Sequence, residues 1–129
     1  MKALSVIMPW PWLILKHGKD VENRSWQTSY RGRILIHASK KPDKNSIQIM
    51  SLFNATPTET ELKEFFTWYG CIVGAVELVD CVKNYKSPWA ESGAFHWVLK
   101  NPVLFDKPVP AKGSLGLWEY TEALNEKVS

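Results

Sequence analysis

The sequence predicts an α+β fold, a small mixed β-barrel of five to six strands with helices capping its ends. The chain has 129 residues, 45% of them hydrophobic, which suits one domain with its own core. Short strand-like runs recur along the chain, and helical patterns are inserted between the second and third of them. We assign residues 1–122 to this domain and residues 123–129 to a C-terminal tail.

The first elements are a strand and a short helix. Residues 3–8 form an apolar run typical of a strand. Pro9 and Pro11 follow it and fit the first turn of a helix, where a missing backbone N–H costs little. Gly18 is a typical residue for the end of that helix. A helix this short is expected to cover one end of the barrel.

Residues 19–26 are predicted to be extended. With a two-residue period, one side of this segment carries Asp20, Glu22, Arg24 and Trp26. Neither side is apolar, whereas a strand with one face on a core alternates apolar and polar residues. We therefore do not expect this segment to be an ordinary strand of the barrel.

The rest of the sheet is predicted from four further strand-like runs. These are residues 33–39, 71–82, 95–99 and 115–120. The run 71–82 is apolar on both faces, which indicates a well-buried strand. Between the last two runs, Pro102, Pro108 and Pro110 restrict residues 101–113 to an edge strand or a connector.

Two helices are predicted between the second and third strands, and one at the end of the chain. Residues 44–54 and 58–69 have helical spacing, and Thr58 or Thr60 is a suitable N-cap for the second helix. The tail after Glu122 is predicted to be a frayed helix.

Composition restricts the class of protein. The chain has no apolar run near the roughly 20 residues of a membrane span, and its start does not resemble a signal peptide, so we expect a cytoplasmic protein. Cys71 and Cys81 lie on one predicted strand about 30 Å apart, too far for a disulfide. No second Cys/His pair has metal-ligand spacing, so we expect neither metal nor cofactor. The net charge of +3 is compatible with nucleic acid.

Glu77 is the first candidate site residue because it lies in the middle of the apolar run 71–82. An unpaired carboxylate there is costly, so we expect a cationic partner, a protonated side chain or a cavity. Lys19 and Arg24 are the best partners in the sequence. Two interpretations remain open. In the first, Glu77 is a structural residue that forms a salt bridge or lies at a strand edge facing water. In the second, it is a pocket carboxylate with a perturbed pKa.

A second group of candidates combines charged and aromatic side chains. Its members are Trp10, Trp12, Lys19, Glu22, Arg24 and Trp26. Rings that stack on a base, next to charges that contact its edge or a phosphate, are typical of a nucleobase site. The alternatives are a solvated charge cluster and, for Trp10 or Trp12, packing of the helix on the barrel.

Three polar residues lie at the end of the second predicted strand: His37 and Ser39 within it, and Lys40 directly after it. Ser39 and Lys40 are candidate ligand contacts, and the lysine suits a phosphate. His37 shares a strand face with Ser39, but no neighbouring acid orients the imidazole as in a serine hydrolase. We therefore interpret His37 as an ordinary strand histidine.

Several motifs together resemble a known family. They are Leu4-Ser5-Val6-Ile7, Pro9-Trp10-Pro11-Trp12, Gly18-Lys19-x-x-Glu22-x-Arg24-x-Trp26, Ile36-His37-Ala38-Ser39-Lys40, Gly74-x-Val76-Glu77-Leu78, Phe95-His96-Trp97-Val98-Leu99 and Gly113-x-Leu115-Gly116-Leu117-Trp118. In this order they resemble the ASCH family of the PUA-like superfamily, most closely its stand-alone bacterial and phage members. The resemblance covers almost the whole chain.

The resemblance implies a PUA-like barrel with a cleft beside the first helix, and RNA or a nucleotide-like ligand as its partner. One subgroup of the family hydrolyses the amide of N4-acylated cytidine with a lysine, a threonine three residues later and a strand glutamate. By position these are Lys19, Glu22 and Glu77, so the threonine hydroxyl of that subgroup is absent here. The resemblance also implies ribonuclease activity, which other members of the family have, but it provides no motif for that activity that can be transferred to this sequence.

Three functions are therefore weighed. The first is binding of RNA or a modified nucleoside in a charged cleft lined by tryptophans. The second is a metal-independent hydrolase, a ribonuclease or an amidohydrolase, with Lys19, Glu77 and Glu22 as catalytic residues. The third is a protein-interaction domain that contacts its partner through Trp89 or the proline-rich segment.

Overall fold

The structure, a computed structural model, describes residues 1–41 and 43–124, in which six strands form one curled sheet and three helices lie in the connections between strands. The elements are β1 (Lys2–Val6), α1 (Trp10–Lys16), β2 (Val21–Arg24), β3 (Gly32–Ala38), α2 (Ser46–Leu52), α3 (Glu59–Thr67), β4 (Cys71–Val82), β5 (Phe95–Pro110) and β6 (Leu117–Glu119). The strand order is β2-β5-β4-β3-β1-β6. The predicted α+β, partly closed barrel is confirmed. The predicted terminal helix falls largely on residues 125–129, which lie outside the described residues.

The pairing of β1 with β3 sets the position of the site. These two strands are parallel, with Ser5 opposite His37 and Val6 opposite Ala38. The other neighbours in the sheet are antiparallel. Because parallel strands end at the same edge of a sheet, the residues that follow β1 and β3 lie next to each other.

The expectation that residues 19–26 are not an ordinary strand was wrong for β2. This strand pairs antiparallel with the start of β5, from Val21 opposite Val98 to Arg24 opposite Phe95. Val21 and Glu22 are both buried. The apolar alternation that marks most strands is missing because Glu22 is buried together with cations instead of among apolar side chains. A pattern based on hydrophobicity does not detect a strand of this kind.

The predicted break after Leu99 is also absent, because β5 continues to Pro110. Its first part lies between β2 and β4, whereas among the described pairings its second part is bonded to β4 alone. Pro102, Pro108 and Pro110 all occur in this second part, which agrees with the predicted edge position. Asn101, with a φ of 52°, lies at an irregularity between the two parts.

Helices cover one face of the sheet. Trp12 of α1 is fully buried, and its ring contacts Phe65 and Trp68 with centroid distances of 5.4 and 4.9 Å. Both predicted middle helices are confirmed, with shorter bounds. Thr58 caps α3 in a capping box, since its hydroxyl accepts from the Glu61 N–H and the Glu61 carboxylate accepts from the Thr58 N–H.

The opposite face of the sheet has a smaller core of its own, formed by Ala3, Leu35, Ile72, Ala75, Phe105 and Tyr120. Burial on both faces explains why β4 is apolar throughout most of its length. Cys71 and Cys81 are both free and lie toward opposite ends of β4. In the described part of the chain, no helix is long and apolar enough to cross a membrane.

Candidate functional site

A large cleft opens at the edge of the sheet where β1 and β3 end. Its volume is about 1310 Å³. Its walls are the end of β1, residues 22–26, the end of β3 with residues 39–40, and residues 110–116. The cleft therefore collects segments from four distant parts of the chain, which the parallel pairing of β1 and β3 brings to one edge.

A group of three charged residues, Lys19, Glu22 and Arg24, is called the Glu22 cluster, and its members Glu22 and Arg24 line one wall of the cleft. The two Glu22 carboxylate oxygens accept from different cations, Oε1 from Lys19 Nζ at 3.5 Å and Oε2 from Arg24 Nε at 3.0 Å. Lys19 and Glu22 are buried, with only 4% and 7% of their surface exposed. Lys19 also donates to the Val21 carbonyl, and Arg24 Nη2 donates to the Ser5 carbonyl at 3.0 Å.

The local fold explains how this cluster forms. Gly18 adopts a φ of 73° just after α1, a conformation that glycine accepts without strain. The following Lys19 N–H donates to the Leu13 carbonyl at 3.1 Å, which holds the chain against the end of the helix. Period-two alternation along β2 then places Glu22 and Arg24 on the same side.

Burial governs the protonation of Lys19. Removal from water disfavours the ammonium form and lowers the pKa of Lys19. The nearby Glu22 carboxylate opposes this shift because it favours the charged lysine, whereas Arg24 adds to it. Of the neighbouring groups, Glu22 is thus the one that most strongly favours the charged form of this buried lysine.

Glu77 does not belong to this cluster, and the expected pairing with Lys19 or Arg24 was wrong. Its Oε1 accepts from Asn101 Nδ2 at 2.9 Å, and its neighbours across the strands are Arg33 and Lys100. Asn101 also accepts from Arg33 Nη1 through its carbonyl, at 2.8 Å. Glu77 therefore supports the irregular turn of β5, which agrees with the structural interpretation. A hydrolase centre that joins Lys19 to Glu77 has no geometric basis.

The tryptophans have different roles. Trp26 lines the cleft with 37% of its surface exposed, and its ring meets Trp97 edge-on at 4.7 Å. Trp10 also lines the cleft. Trp12, in contrast, is buried in the core, and its Nε1 has no hydrogen-bond partner among the described residues. The packing alternative therefore holds for Trp12, which does not reach the cleft.

Ser39 and Lys40 both lie in the wall of the cleft, as expected from their position after β3. The Lys40 stem crosses Gly70, where an added Cβ would meet the lysine Cγ and Cε at 2.8 Å. Glycine at this position therefore leaves room for the lysine. Lys112 and Asp43 add one charge of each sign to the lining.

Sequence reasoning missed a buried network at the floor of the cleft. Trp118 Nε1 donates to Ser5 Oγ at 3.1 Å, and Ser5 Oγ lies 2.9 Å from His37 Nδ1. His37 Nε2 lies 2.8 Å from the Ala111 carbonyl. Because a carbonyl oxygen only accepts, Nε2 carries the proton, and neutral Nδ1 accepts from the serine hydroxyl.

This network holds the wall formed by residues 110–116. Burial lowers the pKa of His37, which keeps the ring neutral. Gly113 lies so close that an added Cβ would be 2.6 Å from Ser5 Oγ and 2.7 Å from His37 Cε1. The partners of His37 are 32 and 74 residues away in the chain, so no local pattern indicated them.

A smaller side cavity of about 340 Å³ lies behind the Glu22 cluster. Trp10, Phe53 and Trp89 line it, and the Phe53 and Trp89 rings stack with their centroids 4.2 Å apart. Glu22 and Trp10 line both cavities. Trp89 is therefore engaged with another ring, which weakens its interpretation as a contact for a protein partner.

Comparison with known proteins identifies relatives of the whole chain. The family model described as ASCH domain matches residues 4–114. Activating signal cointegrator 1 of Homo sapiens is 34% identical over 135 aligned positions, and the same-named protein of Mus musculus is 32% identical. Each alignment covers 96% of the chain but only 23% of the relative. The chain thus corresponds to less than a quarter of these relatives.

Proposed function

Because the chain belongs to the ASCH domain family, we propose that it binds RNA in the cleft at the edge of the sheet. One observation carries this proposal. The Arg24 guanidinium is held between the Glu22 carboxylate and the Ser5 carbonyl, both at 3.0 Å, in the wall of a cleft that also contains an exposed tryptophan. A fixed cation beside an aromatic face suits a ligand with phosphates and bases.

Phosphate contacts come from the cations of the lining. A guanidinium has five N–H donors, and the described contacts of Arg24 use one at Nε and one at Nη2. The remaining donors form a planar fork that matches phosphate geometry. Lys40 and Lys112 are exposed and lie on other walls of the same cleft. Together they surround the path of a phosphate backbone.

Base contacts come from Trp26. Its ring is more than one-third exposed, and Trp97 supports it from behind at a centroid distance of 4.7 Å. The Trp97 Nε1 also donates to the Trp26 carbonyl at 3.2 Å, which restrains the backbone of Trp26. A restrained ring loses little entropy when a base stacks on it. Stacking of this kind is sequence-tolerant because every base has a π-face.

The test measures the affinity of fluorescently labelled RNA by anisotropy. We expect saturable binding by the wild type, and a loss of about 5- to 100-fold in Trp26→Ala, which removes one stacked base. Lys40→Ala is expected to reduce the slope of log affinity against log salt by about 0.7, the value for one phosphate contact on a single strand.

Lys63→Ala is the matched control, because Lys63 is an exposed lysine of α3 outside the cleft. Its affinity and salt slope should equal those of the wild type. The proposal fails if the wild type shows no saturable binding. It also fails if Lys63→Ala and Lys40→Ala weaken binding equally, since that result indicates attraction by net charge alone.

A further inference from the structure

Three exposed hydrophobic side chains lie around the cleft, on three different walls. Ile7 follows β1, Trp26 follows β2, and Leu115 belongs to the segment 110–116. Their exposed fractions are 40%, 37% and 95%. Single exposed hydrophobic residues are normal on protein surfaces, but three around one cationic cleft form a feature that a ligand can use.

The segment that carries Leu115 passes close to Trp26. A Cβ added to Gly116, the neighbour of Leu115, would lie 4.0 Å from Cη2 of the Trp26 ring. Gly116 has a φ of 64°, so the chain turns at this point and presents Leu115 at the rim. A base that stacks on Trp26 would therefore lie next to the segment that carries the leucine.

We propose that the cleft takes single-stranded RNA with its bases turned toward the protein, and that it discriminates against duplex RNA. This inference rests on the proposed function. In a duplex the faces of the bases are covered by stacking, and the surface offers phosphates, sugars and base edges. Only unstacked bases present apolar faces to Ile7, Trp26 and Leu115, while the phosphates of the same strand meet Arg24 and Lys40.

The charge and apolar groups of the cleft favour this occupant over an acidic peptide. Glu22 and Asp43 are part of the lining, so the cleft carries charges of both signs and charge alone does not select its occupant. Each nucleotide combines a phosphate with a base, so its site needs a cation and an apolar surface close to each other. The cleft offers this combination because Arg24, at the end of β2, and Trp26, two positions later, both line it.

The experiment compares two RNA probes with three proteins. The probes are an unstructured oligouridine of about ten nucleotides, within the site size of small single-strand binders, and a blunt duplex of similar length. The proteins are the wild type, Leu115→Ser and Leu52→Ser. Leu52 is the matched control because it is 81% exposed, lies on α2 and is outside the cleft.

We expect the wild type to bind the single strand more tightly than the duplex. Leu115→Ser should bind the single strand about tenfold more weakly, because the substitution removes part of the apolar contact that the leucine side chain makes with the bases. Its affinity for the duplex should not change, and Leu52→Ser should match the wild type with both probes.

Equal affinity of the wild type for both probes would overturn the inference and leave the proposed function intact. If Leu115→Ser lowers the affinity for both probes equally, the inference is also overturned and the proposed function is left intact. That result is expected when the leucine inserts as a wedge into a duplex groove. Binding to neither probe would overturn the proposed function as well, so the two failures are distinguishable.

Discussion

Glu22→Gln is the substitution that most directly tests the role of the Glu22 cluster. Glutamine has nearly the same shape as glutamate but lacks its charge. The change leaves the ammonium group of Lys19 buried without a carboxylate partner. Its other described acceptor, the Val21 carbonyl, is retained. The single amide oxygen of glutamine can replace only one of the two carboxylate oxygens, so one of the two cations faces the amide N–H groups instead of an acceptor.

The expected loss of stability follows from the burial of the cluster. At an effective dielectric constant of about 20, each cation 3.0–3.5 Å from the carboxylate contributes about 5 kcal/mol of gross attraction. Desolvation of the buried groups offsets most of this, and removing one partner of a buried pair costs about 3–5 kcal/mol. We expect Glu22→Gln to lower the free energy of unfolding by about 3 kcal/mol, the lower end of this range. The Arg24 side chain is 23% exposed, so water replaces part of its interaction with the carboxylate.

The loss should depend on pH through Lys19. Its folded pKa is below the unfolded value of 10.5, so between these two pKa values the unfolded chain binds more protons and stability rises with pH. Without Glu22 the folded pKa of Lys19 falls further, and this rise begins at a lower pH. The difference between wild type and Glu22→Gln should therefore shrink as the pH increases from about 7 toward 10.5.

Urea denaturation of both proteins at several pH values provides the measurement, with Glu77→Gln as the matched control. Glu77 accepts one hydrogen bond from Asn101, which glutamine can also accept. The control should change stability by less than about 0.5 kcal/mol. If Glu22→Gln costs no more than Glu77→Gln, or if its deficit grows with pH, the charges of the cluster do not stabilise the fold in this way.

Three further predictions concern the fold around the site. Gly74→Ala should destabilise the protein by about 2 kcal/mol in urea denaturation, because the new Cβ would overlap the Val103 carbonyl of the neighbouring strand. The wild type should lose stability below about pH 6.5, since the buried His37 has a lowered pKa and the unfolded chain takes up the proton first. His37→Gln should flatten that part of the pH profile. Thr58→Ala should cost about 1 kcal/mol by loss of the α3 cap, with RNA affinity unchanged in anisotropy because the cap lies outside the cleft.

Each of these predictions has a contrary result. A fully stable Gly74→Ala protein would mean that β4 and β5 separate here at little cost. Parallel pH profiles for the wild type and His37→Gln would show that other groups cause the acid sensitivity. A loss of RNA affinity in Thr58→Ala would connect α3 with the binding surface, against the position of the cleft.

Helices and strands were predictable where a few neighbouring residues in the sequence mark them. Pro11 and Gly18 mark the two ends of α1, and Thr58 marks the start of α3. The continuous apolar run of β4 indicated a strand buried on both faces. These signals work because helix ends, turns and buried strands depend on a few neighbouring residues.

Predictions failed where burial depends on a partner far away in the chain. β2 lacks an apolar face because Glu22 is buried by ion pairs, so its strand pattern is hidden. Glu77 was expected to pair with Lys19 or Arg24, but it is only half-buried and accepts from the neutral Asn101 amide, 24 residues away. An apolar strand pattern does not show how deeply one polar side chain is buried, and the choice among partners depends on strand register.

The sequence by itself determined the α+β class, the order of most elements, and the concentration of charges in residues 18–26, which end on Trp26. Only the tertiary structure decided that Trp12 is a core residue while Trp26 faces the cleft, and that Ser5 and His37, in a network with Trp118, line it. The physical reason is the parallel pairing of β1 with β3. It brings both strand ends to one edge, and no short stretch of sequence encodes which distant segments meet there.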